Sequence, residues 1–176
     1  MIQIATFPRT WKPPAWVGRI VEIFRRHQCS ISPEPPGEGL SSEEVLAVLA
    51  GDLEGLGFHI EKLKIAQGRV PRRPLSVGEP VAQHYHVDVY HPEWHCCIAI
   101  EDGPAWTNDS IDEDGVEPLL VANADTLCLA VPGGPCGGIP SAGEPGSEYG
   151  RALALAQVVY GRSRAYLPHR LVLIGY

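Results

Sequence analysis

The middle of this sequence lacks positive charge. No lysine or arginine occurs between Arg73 and Arg151, a span of 77 residues that holds thirteen of the 21 acidic side chains. Proteins that bind DNA neutralise its phosphates with lysine and arginine. Any such contact must therefore come from the two ends of the chain, although solvated surface charge is the simpler interpretation for most of these cations. The candidates are Arg25, Arg26, Lys62, Lys64, Arg69, Arg72, Arg73, Arg162, Arg164 and Arg170.

Further absences narrow the class of protein. No apolar run approaches the roughly 20 residues that span a membrane, and the start of the chain shows no basic-then-apolar signal pattern. The five cysteines are odd in number and none forms a CxxC pair. We therefore expect one cytoplasmic domain, residues 1–176, with reduced thiols and no membrane contact. Within it, residues 1–39 would form an N-terminal extension with one helix, and residues 40–176 the core.

What the sequence does contain is the hydrophobic periodicity of an α/β protein. Residues 1–12 are expected to be an irregular or extended lead-in. Helices are predicted at about 15–27, 41–56 and 147–161, with an interrupted helix within 108–124. Strands are predicted at about 58–65, 83–90, 95–101, 126–132 and 170–176. This order predicts a central mixed sheet with helices on both sides.

The second helix carries its own start and stop signals. Ser41 and Glu44 have capping-box spacing, in which each side chain bonds to the backbone N–H of the other residue. Gly55 and Gly57 provide the end of the helix. Its apolar stripe is formed by Val45, Leu46, Leu49, Leu53 and Leu56.

Residues 84–106 form the stretch with the most chemical interest, two strands joined by a short turn. Asp88 lies in the first strand, and Glu101 ends the second on the same face as Ala99. If Asp88 and Glu101 meet across the hairpin, their carboxylates could share one Mg²⁺ or Mn²⁺. Such an ion lowers the pKa of a bound water and stabilises the charge that builds on a scissile phosphate. From spacing alone, exposed acids at strand ends remain the simpler interpretation.

Several further parts of the chain match the sequence pattern of a known protein family. They are 86–90, 100–106, Asn108, 127–132, 163–164, 167–168 and 173–176. In these segments, spread over roughly residues 40–176, the sequence resembles the PD-(D/E)XK restriction-endonuclease superfamily. More narrowly, it resembles a bacterial group with an acid-x-Glu-x-Gly-Arg-Ala signature on the second catalytic strand.

The resemblance implies a restriction-endonuclease-like central mixed sheet and metal-dependent hydrolysis of DNA phosphodiesters. It implies Asp88 and Glu101 as catalytic metal ligands, with a helical acid such as Glu44 as a third catalytic carboxylate. Homodimers are common in the superfamily. The side chains expected to contact DNA are Lys62, Lys64, Arg72 and Arg73.

The chain departs from the family pattern at several positions. Ala99 stands where the signature has its first acid, and Pro104 where it has arginine. A basic residue expected next to an aspartate is absent from 111–114, and no lysine follows Lys64, so the usual E-x-K lysine is missing. Glu101 could replace that lysine, as a second carboxylate does in some members. Losing an acid and a cation predicts weakened or lost catalysis.

Two alternatives therefore stay open. The first is a catalytically inactive binding or regulatory protein of the same fold, with the acidic face 101–117 meeting a basic partner. The second is a zinc protein, since imidazole and thiolate are good Zn²⁺ ligands. Zinc is the less favoured metal, because neighbouring side chains alternate across the strand and no HExxH or CxxC spacing is present. Its candidate ligands are His84, His86, His91, Glu93, His95, Cys96 and Cys97.

Overall fold

The computed structural model describes residues 1–32, 40–60, 89–101, 124–133, 147–162 and 169–176. Within these ranges the chain forms six strands and three helices. The strands are β1 (Gln3–Phe7), β2 (His59–Ile60), β3 (Val89–His91), β4 (Cys96–Ile100), β5 (Thr126–Val131) and β6 (Arg170–Gly175). The helices are α1 (Ala15–Ile31), α2 (Ser42–Leu56) and α3 (Glu148–Arg162). The interrupted helix expected within 108–124 lies almost wholly outside the described residues.

The six strands form one mixed sheet in the order β1-β6-β5-β4-β3-β2. β4, β5 and β6 run parallel to one another. β1 pairs with β6 antiparallel, and β2 and β3 continue the sheet beyond β4 as antiparallel strands. The α/β class and the mixed sheet predicted from the sequence are confirmed.

The sequence pattern of residues 1–12 predicts an irregular or extended lead-in, and the structure has the strand β1 there. Its five residues pair with β6 from Gln3 opposite Gly175 to Phe7 opposite Leu171. Ala5 and Phe7 are buried, whereas Ile4 is 40% exposed. The N-terminal residues therefore complete the same sheet that the rest of the chain builds.

Helices pack on both faces of the sheet, as predicted. α1 and α2 bury Ile20, Phe24 and Leu49 against one face, together with residues of β4, β5 and β6; we call this the first core. α3 buries Tyr149 and Ala156 against the other face, the second core. The parallel strands are therefore covered on both sides, which is why β5 reads as a continuous apolar run.

The start and stop signals of α2 act as predicted. The Ser41 hydroxyl accepts a hydrogen bond from the Glu44 backbone N–H at 3.3 Å, and the Glu44 carboxylate accepts one from the Ser41 backbone N–H at 2.8 Å. Gly57 ends the helix in the left-handed conformation, with φ of 99°. Within the described ranges, no helix combines the length and apolarity needed to cross a bilayer.

Candidate functional site

The carboxyl ends of the three parallel strands meet at one edge of the sheet, which we call the carboxyl edge. Glu101 follows β4 there, Pro132 and Gly133 follow β5, and Tyr176 follows β6. In open α/β sheets, ligands commonly bind outside the carboxyl ends of the strands. Two described acids lie at this edge. One is Glu101, the residue that the sequence predicted as a metal ligand, and the other is Glu148, which begins α3 beside Pro132 and pairs with Arg151.

The backbone on both sides of the Glu101 side chain is fixed. The Glu101 N–H donates to the Ala130 carbonyl at 2.9 Å, which continues the β4–β5 ladder by one residue. The Glu101 carbonyl accepts a hydrogen bond from the Tyr176 hydroxyl at 2.9 Å. Glu101 itself is half-buried.

Tyr176 is a residue whose role the sequence did not indicate. Its side chain is 4% exposed, and its ring lies 6.2 Å from that of Phe24 in α1. Its backbone N–H donates to the Val131 carbonyl at 3.0 Å, and its carbonyl accepts from the Gly133 N–H. Tyr176 thus links the ends of β4, β5 and β6, a contact over 75 residues that no local pattern reports.

Glycine is required where these ends approach. A Cβ on Gly133 would lie 2.9 Å from the Gly175 carbonyl carbon, and one on Gly175 would lie 2.7 Å from the Tyr149 ring. The Gly133 position therefore reflects close packing of strand ends. The Gly-rich segment that follows it, 134–146, lies outside the described residues.

Glu44, the third predicted carboxylate, is engaged in the helix cap. Its Oε2 accepts hydrogen bonds from the Ser41 backbone N–H at 2.8 Å and from the Ser41 hydroxyl at 2.9 Å. The bond from the Ser41 backbone, followed by that from its side chain, lowers the pKa of Glu44. The structure thus assigns Glu44 a local role, in holding the first turn of α2.

The other predicted site residues lie outside the described residues. Asp88 is the residue immediately before the described start of β3. The acidic face proposed at 101–117 is described only at Glu101 itself. The predicted DNA contacts Lys62, Lys64, Arg72 and Arg73 also lie outside the described part of the chain.

His91, a candidate zinc ligand, has both ring nitrogens engaged by the protein. It is 4% exposed. Its Nδ1 accepts the Trp94 backbone N–H at 3.2 Å, which leaves Nε2–H to donate to the Leu56 carbonyl at 3.0 Å. The ring stacks on Trp94 with centroids 3.8 Å apart. His91 therefore fastens the β3–β4 turn to the C-terminal end of α2.

Cys96 and Cys97 lie in β4 on opposite faces of the sheet, and both are fully buried. The hydrogen bond with Cys128, at 3.6 Å between sulfurs, and burial raise the pKa of the Cys96 thiol. Burial raises the pKa of Cys97 to about 12. Because the two side chains lie in different cores, their sulfurs cannot bind one ion together.

One cysteine departs from the expected reduced state. Cys96, Cys97 and Cys128 are free thiols, as predicted. Cys29, near the end of α1, is disulfide-bonded, so the prediction of five reduced thiols is wrong for this residue.

In the part of the chain that the structure describes, no group of three or more His, Cys, Asp or Glu side chains is arranged to hold a metal ion. The carboxyl edge nevertheless offers carboxylate oxygen, the donor that Mg²⁺ and Mn²⁺ prefer. No protein-family model, no curated protein and no solved structure matches this chain.

Proposed function

We propose that the protein is a restriction-endonuclease-like, metal-dependent phosphodiesterase acting on DNA, with Asp88 and Glu101 at the carboxyl edge as its metal ligands. The observation that carries the proposal is the position of Glu101. It follows β4 directly, it lies at the edge where α/β sheets bind ligands, and hydrogen bonds to its backbone N–H and carbonyl hold it there. A metal bound at this edge would supply a water of lowered pKa for attack on phosphorus.

The register of the hairpin supports pairing Glu101 with Asp88. Val89 lies opposite Ile98, and Tyr90 lies opposite Cys97. The proposal requires this antiparallel ladder to continue by one residue, which would put residue 88 opposite Ala99. Asp88 and Glu101 would then be diagonal neighbours on one face, about 7–8 Å apart at Cα, within the reach of two carboxylates around one ion.

Plasmid nicking tests the proposal directly. Supercoiled plasmid is incubated with the protein and Mg²⁺ or Mn²⁺, and relaxed product is followed over time. We expect metal-dependent relaxation that falls by about 100-fold or more in Asp88→Asn and in Glu101→Gln, as for loss of a group that acts in the transition state. Glu43→Gln, an exposed acid in the first turn of α2, is the matched control and should cleave at the wild-type rate. Relaxation that survives both site substitutions would reject the assignment.

A second candidate function is favoured by one observation at the same edge. Ala99, which stands where the family has an acid, is half-buried and packs against the second core. The site thus lacks one ligand of the family pattern, as expected of a binding or regulatory protein that has kept the fold and lost the chemistry. Ala99→Glu would separate the two candidates, with Ala99→Gln as its control. Cleavage gained only by the glutamate variant, in a wild type without activity, would identify a degraded nuclease site.

A further inference from the structure

The basic side chains described by the structure fall into two groups. Arg25, Arg26 and Arg151 form ion pairs, with carboxylate oxygens at 3.6 Å, 2.8 Å and 3.2 Å. The second group has no carboxylate partner within the described residues. It consists of Arg9, Lys12, Arg19 and Arg170, and we call it the basic edge.

All four residues lie at one end of the sheet, opposite to Glu101. Arg9 and Lys12 lie in the loop that follows β1, and Arg170 is the first residue of β6, next to that loop across the β1–β6 ladder. Arg19 lies in α1 and reaches Trp94 in the β3–β4 turn. The four cations therefore come from separate parts of the chain and lie at the end where the parallel strands begin. Arg9 is on the face of the second core, and Arg19 and Arg170 are on the face of the first.

Three of these cations rest on aromatic rings. The guanidinium carbon of Arg9 lies 4.6 Å from the Phe7 centroid, and that of Arg170 lies 5.5 Å from the Trp11 centroid. The guanidinium carbon of Arg19 lies 5.6 Å from the Trp94 centroid. An aromatic ring orients a guanidinium above it without accepting hydrogen bonds from the in-plane N–H groups. These N–H groups remain available for bidentate contact with phosphate. This arrangement distinguishes the basic edge from ordinary solvated charge.

The tryptophans beside these cations are only partly buried. Trp11 and Trp16 pack against the first core while keeping part of their surface exposed. Trp16 stacks on Trp94 with centroids 5.3 Å apart, and Trp94 in turn stacks on His91. The ring of Trp16 is therefore held by stacking, which lowers the entropic cost of placing a ligand on its exposed portion.

The charge balance at this end of the sheet is positive. Glu22, one turn after Arg19 in α1, Glu93 and Asp125 are the acids described beside the four cations, and all three are exposed. The chain as a whole has a net charge of -7, so the basic edge runs against its overall sign. The starts of β6 and β4 are separated by two strand spacings, about 10 Å, so Arg170 and Arg19 can contact different phosphates of one chain.

We propose that the basic edge binds single-stranded nucleic acid, with Arg9, Lys12, Arg19 and Arg170 on the phosphates and the exposed parts of Trp11 and Trp16 beside the bases. Cations interleaved with partly exposed aromatic rings are the arrangement that single strands require, since unpaired bases stack and their backbone follows the charge. This surface is distinct from the proposed active site. The five residues of β4 separate the two by about 17 Å.

Fluorescence anisotropy of a labelled 12-nucleotide single strand tests the proposal with the full-length chain. In about 50 mM salt we expect saturable binding that weakens at least tenfold in Arg19→Gln/Arg170→Gln, because two phosphate contacts are lost. The slope of log affinity against log salt should fall by about 1.4 for a single strand. Arg25→Gln/Arg151→Gln removes the same formal charge from paired positions and should stay within about twofold of wild type.

Further variants test whether weaker binding results from loss of folding. Lys12→Gln carries no ring contact, and it should weaken binding at unchanged circular dichroism. Arg19→Lys/Arg170→Lys keeps the charge and loses the planar fork, so it should bind between wild type and the double glutamine variant. The titration is carried out in EDTA, without the metal that the proposed cleavage requires, so failure of the nuclease proposal and failure of this one are distinguishable.

Four results would overturn the proposal. The first two are absence of binding in low salt and an equal loss of affinity in the paired-arginine control. The third is tighter binding of a duplex of the same length. The fourth is binding to phosphatidylserine vesicles that the same variants weaken more than they weaken binding of the oligonucleotide. The last two would assign the surface to a duplex or to a membrane.

Discussion

Gly57 lies where α2 meets the β3–β4 turn. Its N–H donates to the Glu54 carbonyl at 2.9 Å, and the next N–H, of Phe58, donates to the Leu53 carbonyl at 3.1 Å. These two bonds close the end of the helix while the chain turns through positive φ. A side chain at this position would be unfavourable for two reasons. A residue with a Cβ is strained at φ of 99°, and its Cβ would lie 3.0 Å from Nε2 of His91.

We therefore expect Gly57→Ala to lower the free energy of unfolding by about 1–2 kcal/mol, the cost of a non-glycine residue in this conformation. Gly51→Ala in the same helix should raise it by about 0.5–1 kcal/mol, because a Cβ there meets nothing within 4 Å and alanine favours the helix. Urea titration of both variants measures the two opposite changes in the free energy of unfolding. A Gly57→Ala variant as stable as wild type would contradict the packing of His91 against this turn.

At the scale of elements, the N-terminal cap of α2 makes the free energy of unfolding depend on pH. The Ser41 backbone N–H lowers the pKa of Glu44 in the folded chain, so folding favours the ionised carboxylate. This contribution is present in full above the ordinary glutamate pKa of about 4.3 and is lost as pH falls through the lower folded pKa. Glu44→Gln should thus be less stable than Glu43→Gln at pH 7 and equal to it near pH 2.

Thermal unfolding of the two variants between pH 2 and pH 7 measures this difference. Both substitutions remove one negative charge from the first turn of α2, so their effects on the helix dipole are similar and the difference reports the bonds to Ser41. A gap that persists at the lowest pH would show that the Glu44 side chain acts through packing rather than through its charge.

Elements with local signals were predictable, and those defined by distant partners were not. The capping box of Ser41 and the glycine stop of α2 act between near neighbours, so their sequence pattern is sufficient. β1 has only five residues, and its strand identity depends on pairing with β6, more than 160 positions away. The sequence 1–12 alone does not distinguish such a strand from an extended lead-in.

The candidate site shows the same limit. A strand ending in Glu101 could be predicted from apolar alternation. The hydrogen bond from the Tyr176 hydroxyl to the Glu101 carbonyl could not be predicted, because three parallel strands must first assemble to bring the two residues together. The density of histidine and cysteine in 84–97 was also ambiguous, since burial decides whether such side chains bind metal or pack. For His91, Cys96 and Cys97 the fold uses them internally.

At the scale of the whole molecule, the two cores share the central strands β4 and β5, so access to their thiols reports on the entire fold. Cys96 and Cys128 face the first core, and Cys97 faces the second. All three have an exposed fraction of 0%. Reaching any of them requires separating a helix layer from the sheet, and we expect this to coincide with global unfolding.

Alkylation with iodoacetamide, followed by mass spectrometry of the cysteine peptides, tests this expectation. Cys96, Cys97 and Cys128 should stay unmodified for hours at pH 8, because burial both excludes the reagent and, for Cys97, holds the pKa at about 12. Across a urea titration their modification should rise with the same midpoint as the loss of circular dichroism. Thr10→Cys, at an exposed position, supplies a thiol that should react within minutes in the native protein. Modification of Cys97 alone at low urea would mean that α3 leaves the sheet first, and the two cores would then unfold as separate units.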